Sequence, residues 1–185
     1  SYMLKILQYG SPILEKPTNK VENIKDPKIL KLVEEMLKVL DKEQEHSAGL
    51  SAPQVGQSQR IAICRRMDLE ENILKKQQEQ GITKKVEPIW EVMINPAITY
   101  KSTDQSTKWE GCLSVNQGEL FGQVTRPRMV KVKYTNLEGE EIEITADDYF
   151  SHVVQHEIDH LEGILFLKYI KDPTQLYNSD EIEDL

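Results

Sequence analysis

The chain has 185 residues, enough for one domain, because a chain of ~150 residues already buries roughly 68–70% of its unfolded surface in a single core. Its 38% hydrophobic and 29% charged residues predict a compact core under a well-solvated surface and exclude a chain disordered throughout. The net charge of -8 argues against electrostatic capture of naked nucleic acid, and the apolar runs are far shorter than the ~18 residues of a membrane span. We therefore expect one domain over residues 1–185, with no membrane partner and no direct nucleic-acid partner.

The N-terminal part of the chain predicts a cytoplasmic protein with an early helix. It has neither the basic and apolar regions of a signal peptide nor the Arg-rich composition of a transit peptide. Asp26 followed by Pro27 is a helix-start signal. Apolar residues then recur at helical spacing and predict an amphipathic helix packed on the core: Ile29, Leu30, Val33, Met36, Leu37 and Leu40.

The middle of the chain predicts a loop, a strand and a surface excursion. Residues 49–56 are rich in turn formers, and residues 60–64 are typical of a short strand. Residues 65–88 are polar and predict an excursion on the surface. Within it, the spacing of Asp68 and Glu71 resembles a capping box at the start of a helix.

The second half of the chain predicts antiparallel strands. Residues 91–95 and 128–135 are strand-like, and the turn at 136–139 leads into a further strand at 140–145. Helices combined with such hairpins indicate an α+β fold.

A last long helix is expected to follow, capped by Asp147 or Asp148. Its apolar contacts would come from Phe150, Val153, Val154, Ile158 and Leu161. Beyond the helix, Pro173 and the acidic residues near the end predict a loosely held acidic tail over residues 172–185.

The last helix carries a metal-binding pattern. His156-Glu157-Ile158-Asp159-His160 matches H-E-x-x-H, and residues four apart on a helix share a face, so both imidazoles reach one ion. Glu157 then lies beside the first ligand as an acid/base candidate. His152 is not expected to join them, because residues eight apart on a helix are separated by ~12 Å along its axis.

A catalytic site of this type needs a third protein ligand and one open position. The protease pattern that continues with glycine and a third histidine is followed through Gly163, but the histidine position holds Phe166. A second protease pattern would use a glutamate such as Glu181, in a tail with little helical support. Cys112 is the better candidate, because it lies in a turn-like setting, whereas Cys64 ends a strand and is expected to be a buried thiol.

Three segments together resemble the peptide deformylase family. They are residues 49–56, which read Gly-Leu-Ser-Ala-Pro-Gln-Val-Gly, residues 110–114, which read Glu-Gly-Cys-Leu-Ser, and residues 156–160. The resemblance implies an α+β fold of antiparallel β-sheets packed around a central helix that carries the H-E-x-x-H motif. It also implies removal of the formyl group from the N-terminal formyl-methionine of new chains.

The resemblance assigns roles to individual residues. Cys112, His156 and His160 would bind the metal, and Glu157 would take a proton from the attacking water and return one to the departing amine. The Gln54 side chain and the Leu113 N–H would stabilise the oxyanion. At lower weight, the peptide backbone would pair with Gly49, and the methionine pocket would include His152 and Tyr149.

The family implies ferrous iron (Fe2+), one per chain, which Zn2+, Ni2+ or Co2+ replaces in preparations. N-formylmethionyl nascent peptides are the implied partners, with a transient ribosome contact. The chain departs from the family in residues 116–125, with no proline after Val115 and no basic residue before Arg126, and in its acidic tail. An ion pair between Glu110 and Arg126 that braces the Cys112 loop is a further hypothesis.

Two alternatives stay open. One is a zinc metalloprotease, which the incomplete third-ligand patterns disfavour. The other is a deformylase-like protein that binds metal or nascent peptide without turnover, which the altered segment 116–125 motivates.

Overall fold

The computed structural model describes residues 3–183 and 185. Ser1, Tyr2 and Asp184 lie outside the described residues, so the predicted 1–185 domain is not described at these three positions. The helices are α1 (Pro27–Lys42), α2 (Met67–Glu79) and α3 (Asp148–Leu161). The strands are β1 (Gly49–Ser51), β2 (Ile61–Arg65), β3 (Trp90–Lys101), β4 (Gln105–Gly111), β5 (Leu120–Pro127), β6 (Met129–Thr135), β7 (Glu141–Asp147) and β8 (Tyr177–Asn178).

The strands form two antiparallel sheets. One has five strands in the order β1-β2-β3-β6-β7, and the other has three in the order β4-β5-β8. Helix α3 contacts β1 and β2 of the first sheet and β4 and β5 of the second. The predicted α+β fold, with antiparallel sheets around the helix that carries H-E-x-x-H, is therefore confirmed.

The two faces of the five-stranded sheet are covered by different helices. On one face, α1 packs against Leu50, Ile61 and Ile63. On the other face, α3 packs against Met93, Val130 and Tyr134, among other residues. Since side chains alternate along a strand, β2 sends Ile61 and Ile63 to α1 and Cys64 to α3.

Helix α1 begins as its sequence predicts. The Asp26 side chain accepts from the Lys28 N–H, and Pro27 occupies the first helical position. The expectation that Leu30 packs on the core is wrong, because its side chain is 44% exposed. Leu32, which was not singled out, takes the buried position instead.

The excursion over residues 65–88 contains α2, which buries none of its residues. The expected capping role of Asp68 is wrong. Arg66 occupies the position before the helix, and the Asp68 carboxylate accepts two bonds from its guanidinium at 3.0 Å.

Strand β3 is longer than residues 91–95, and β4 and β5 were not predicted at all. Asn95 in β3 has a φ of 53°, and the register shifts between Ile94 and Ala97, so a bulge carries the strand past Pro96. The alternation in β4 is hidden because the sequence Gln-Ser-Thr-Lys-Trp-Glu-Gly is mostly polar. Of its polar side chains, Glu110 is buried.

Part of the predicted loosely held tail, residues 172–185, is attached to strand β5. Tyr177 and Asn178 pair with Phe121 and Leu120 of β5, and the Ser179 N–H donates to the Glu119 carbonyl oxygen at 2.7 Å. The tail prediction is therefore wrong for this part of the chain. Among residues 3–183 and 185, the structure contains no helix with the length and apolar character needed to cross a membrane.

Candidate metal centre

Helix α3 brings His156 and His160 together on the face that meets the second sheet. Their Nε2 atoms lie 3.2 Å apart, and the Cys112 Sγ lies 3.3 Å from the Nε2 of His160. The three donor atoms all lie within 4.8 Å of one another, and all three side chains are buried. The structure therefore brings together the three residues that the sequence proposed as ligands.

The spacing and chemistry of these donors fit a single transition-metal ion. Metal–nitrogen bonds of ~2.0–2.1 Å at a tetrahedral angle place two nitrogens ~3.3 Å apart, close to the spacing between His156 and His160. Burial lowers the pKa of His160, so its imidazole is neutral and has a lone pair to offer. Burial also opposes the charged form of His156, but hydrogen bonding to Cys112 and Glu110 outweighs it and raises the pKa, so this imidazole would give up a proton on binding a metal.

Glu110 is the centre of a buried polar network behind this cluster. Its carboxylate accepts from the Arg126 Nε at 2.7 Å and from the Arg126 Nη2 at 2.9 Å, which forms the predicted ion pair. It also lies 2.9 Å from the Nδ1 of His152 and 2.9 Å from the Nδ1 of His156. Burial disfavours the charged carboxylate, but these bonds outweigh it and hold the pKa of Glu110 well below its usual range.

The network continues through residues that the sequence analysis did not single out. The Arg126 Nη1 donates to Asp159 at 2.8 Å, and the Tyr169 hydroxyl donates to the same carboxylate oxygen at 2.9 Å. Asp159 is the fourth residue of the H-E-x-x-H motif, so its position was visible in the sequence. The sequence did not show that Arg126 is its partner, because Arg126 is in β5 and meets Asp159 only when this strand packs beside α3.

Glu157 lies beside the donor cluster, buried and with one free oxygen. Among the described residues, its Oε1 has no hydrogen-bond partner. Burial is the main cause that raises the pKa of this carboxyl to about 7. A carboxyl of that kind exchanges protons near neutral pH, as a general acid/base requires.

Gly49 makes room for Glu157. A Cβ on Gly49 would lie 2.7 Å from the Glu157 Oε2 and 2.9 Å from the Ile63 carbonyl oxygen. Gly49 is also in β1, at the edge of the five-stranded sheet, and lines the same cavity as Cys112. Its carbonyl oxygen accepts from the Ser47 hydroxyl at 2.7 Å.

Gln54 is oriented towards the cluster by its own turn. It lies in the short 3-10 turn Ala52–Val55, where its Oε1 accepts from the Ser51 N–H at 2.9 Å and from the Ser51 hydroxyl at 3.0 Å. Its amide Nε2 therefore points the other way, to the Ser114 hydroxyl at 3.1 Å and the Cys112 Sγ at 3.5 Å.

Leu113 follows Cys112 directly and is buried. In the part of the chain that the structure describes, its N–H has no protein acceptor. The Leu113 carbonyl oxygen accepts from the Gln8 side chain at 2.8 Å, which fixes the peptide on its other side.

The departure at residues 116–125 begins with a left-handed turn. The φ angles are 49° at Asn116, 52° at Gln117 and 82° at Gly118. Proline locks φ near about −65°, so it could not occupy the position after Val115 in this conformation. The left-handed turn therefore explains why this chain has no proline after Val115.

A cavity of about 80 Å³ opens onto the cluster. Tyr149 lies at its rim with 44% of its surface exposed. The wall includes Gly49, Gln54, Cys112, Leu113, His152, His156 and Glu157. All of the residues that the sequence proposed for the site line this cavity, except His160, which lies buried behind it.

Phe166 packs against the ring of His156. It stacks on the imidazole with the ring centroids 6.1 Å apart and an interplanar angle of 22°. The position that holds a third histidine in one protease pattern is thus an apolar support here.

Comparisons with known proteins identify the family of this chain. The family model described as polypeptide deformylase matches residues 3–176. A peptide deformylase from Desulfotalea psychrophila is 38% identical over 171 residues, which cover 91% of this chain and 88% of the relative.

Solved structures are similar over almost the whole chain. Peptide deformylase from Ehrlichia chaffeensis has a TM-score of 0.76 and 31% identity, covering 94% of this chain and 91% of that one. The class I type b peptide deformylase from Acinetobacter baumannii bound to Met-Ala-Ser has a TM-score of 0.73 and 31% identity, covering 91% and 99%. The chain therefore belongs to the polypeptide deformylase family of enzymes.

Proposed function

We propose that this chain is a metal-dependent hydrolase that removes the formyl group from the N-terminal formyl-methionine of newly synthesised proteins and releases formate. The observation that carries the proposal is the convergence of one thiolate and two imidazole donors beside a buried carboxyl with a free oxygen. Membership of the family supports the same reaction.

Cys112, His156 and His160 would hold the metal. We propose Fe2+ as the natural ion, with Zn2+, Ni2+ or Co2+ able to substitute, because one thiolate and two imidazoles suit all four. When bound, the metal makes a water nucleophilic at neutral pH and polarises the carbonyl oxygen of the substrate.

Glu157 is the proposed general base and acid. Its free Oε1 would take the proton from the water that attacks the formyl carbon. When the C–N bond breaks, the same carboxyl would deliver that proton to the departing amine. One carboxyl therefore serves both steps, and formate leaves together with a free N-terminus.

Gln54 and Leu113 are the proposed donors to the developing oxyanion. Because Ser51 occupies the Gln54 Oε1, the amide Nε2 lies on the side of Cys112 and Ser114, and its N–H groups would turn from these acceptors to the oxyanion. The Leu113 N–H adds a second donor that needs no rearrangement. A donor of this kind typically contributes ~10²–10³ in rate.

The cavity and the β1 edge support a peptide substrate. The Met-Ala-Ser complex of the Acinetobacter baumannii relative shows that this peptide is a ligand of that enzyme. Here the backbone of Gly49 would pair with the peptide, with Tyr149 at the rim of the methionine pocket. We propose that the enzyme is cytoplasmic, acts on nascent chains and contacts the ribosome transiently.

Formate release from formyl-Met-Ala-Ser, measured with anaerobically prepared iron protein, tests the proposal. We expect turnover by the parent and loss of both bound iron and turnover in Cys112→Ala. Cys64→Ala is the matched control, because Cys64 is the second cysteine and does not belong to the donor cluster.

Two outcomes would reject the proposal. Cleavage of internal peptide bonds with no release of formate would identify a metalloprotease. Tight binding of iron and of the formyl peptide with no formate over hours would identify a binding protein without turnover.

A further inference from the structure

His152 holds a position that neither metal binding nor substrate binding explains. It lies in α3 one turn before His156, and 1% of its surface is exposed. Its Nδ1 lies 2.9 Å from the Oε2 of Glu110. Its Nε2 lies 3.0 Å from the hydroxyl of Ser106 in β4 and 3.1 Å from the Ser106 carbonyl oxygen.

Glu110 receives the two histidines on its two different oxygens. The Oε2 faces the Nδ1 of His152, and the Oε1 faces the Nδ1 of His156, each at 2.9 Å. Arg126 adds one N–H to each oxygen. The carboxylate therefore has four donors, two per oxygen, and its plane is fixed from both sides.

His152 is thus occupied by protein groups at both ring nitrogens. It contributes to the cavity wall, but neither nitrogen is free for a substrate. The role at the methionine pocket that the resemblance implied stays a prediction.

We propose that His152 is a positioning residue for the metal centre. By donating to Oε2, it holds the Glu110 carboxylate in the orientation that presents Oε1 to the Nδ1–H of His156. That bond leaves the lone pair of His156 on Nε2, the atom that faces His160 and Cys112. The inference rests on the proposed function, because it assumes that the cluster binds a metal.

The expected size of the effect follows from the general behaviour of such partners. A ligating histidine usually donates its other N–H to a carboxylate, and loss of a supporting group typically weakens metal affinity ~10–100-fold. His152 acts one step further out than Glu110, through the same carboxylate. Its loss leaves Oε2 with a single donor, the Arg126 Nε.

Three substitutions at His152 test whether the metal centre needs its hydrogen-bond donor to Glu110 or only the shape of its ring. In His152→Asn, the side-chain amide N–H lies near the position of Nδ1 and reaches Glu110. In His152→Gln, the longer side chain directs its amide towards Ser106 and away from Glu110. In His152→Leu, an apolar side chain of similar volume has no donor.

The readouts are the dissociation constant for Zn2+ by chelator competition and the visible spectrum of the Co2+-loaded protein. We expect Zn2+ to bind ~10–100-fold more weakly in His152→Leu and His152→Gln, with an altered Co2+ spectrum. His152→Asn should bind within about threefold of the parent, since it keeps the donor to Glu110.

Gln155→Leu is the matched control on the same helix. Gln155 is buried and donates to the Pro127 carbonyl oxygen at 2.9 Å and to the Ser151 hydroxyl at 2.9 Å. We expect this variant to melt at a lower temperature while its Zn2+ affinity and Co2+ spectrum match those of the parent.

Parental affinity and spectrum in His152→Leu would overturn the inference. Equal losses in the asparagine and glutamine variants would also overturn it, because only one of them keeps the Glu110 donor. That comparison decides the question even where His152→Leu does not fold. Failure of the parent itself to bind Zn2+ or Co2+ would reject the proposed function instead.

Discussion

Gly49 shows how the absence of one side chain determines the position of Glu157, the proposed general acid/base. The carboxylate of Glu157 occupies the space in which a Cβ on Gly49 would lie. The neighbouring Ile63 carbonyl oxygen belongs to the β1–β2 pairing and is fixed by the sheet. Only the Glu157 side chain is therefore free to move away from an added methyl group.

We predict that Gly49→Ala keeps its metal but loses most of its activity. The methyl group displaces the Glu157 carboxylate from the cavity, and loss of general acid/base catalysis costs ~10²–10⁴ in rate. Metal content by elemental analysis and formate release test this. The interpretation of Gly49 is wrong if the alanine variant turns over at the parental rate.

Glu157 itself gives the complementary prediction. Glu157→Gln keeps the shape of the side chain but removes its ability to carry a proton, so kcat should fall ~10²–10⁴-fold. The three donor atoms are untouched, so Co2+ binding and its visible spectrum should stay close to those of the parent. A glutamine variant with undiminished kcat would show that another group transfers the proton.

At the scale of elements, the candidate metal centre depends on the contact between α3 and the β4–β5 hairpin. Glu110 is in β4, Arg126 in β5, and Asp159 in α3. The Glu110–Arg126 pair is bidentate, with 5% and 4% of the two side chains exposed. A buried pair of this kind is costly to break, because the remaining charge has no partner.

We predict that Arg126→Met lowers the free energy of unfolding by ~3–5 kcal/mol, whereas the double variant with Glu110→Gln loses clearly less than the sum of the two single losses. Urea unfolding of the metal-free protein measures all four corners of the cycle. Simple additivity would mean that the pair does not brace the Cys112 loop.

The Lys133–Glu141 pair is the control for that cycle. It is also a strand-to-strand ion pair, at 3.1 Å, but its side chains are 47% and 67% exposed. Exposed pairs are screened by water and contribute ~0–1 kcal/mol. A coupling energy of that small size is expected here, in contrast to the buried pair.

At the scale of the whole molecule, α3 lies between the two sheets, and the buried Cys64 reports on that packing. Cys64 is fully buried in β2 on the face that α3 covers. Burial is the main cause that raises the pKa of its thiol well above the usual value, and the nearby Glu157 acts in the same direction.

Because the pKa of the Cys64 thiol is raised, we predict that its contribution to stability depends on pH. Since the folded-state pKa is raised, the stability that Cys64 contributes is complete below the unfolded pKa of ~8.5 and is lost as the pH rises above it. The difference in unfolding free energy between the parent and Cys64→Ala should narrow by up to about 1.4 kcal/mol per pH unit in that range. Reducing, metal-free urea titrations at pH 7 and at about pH 9.5 measure it. A constant difference would contradict the prediction.

Local sequence patterns determined much of this protein. Asp26-Pro27 set the start of α1, the spacing of His156 and His160 placed both imidazoles on one face, and the three family segments led to Cys112, Gln54 and Glu157. The two inferences about the helices succeed because helix periodicity and capping depend on residues three or four positions apart. The sequence also excluded one protease pattern, because Phe166 stands where that pattern has its third histidine.

Tertiary structure alone decided what surrounds those residues. The mostly polar strand β4 had no visible alternation, so the contacts of His152 and His156 with Glu110 could not be inferred, nor could the link from His152 to Ser106. The attachment of Tyr177 to β5 depends on a pairing across more than fifty residues of chain. Pairing of this kind is set by register and burial, which a local pattern does not encode. The sequence by itself therefore predicted the residues of the candidate metal centre, and only the packing of two sheets around α3 decided what surrounds them.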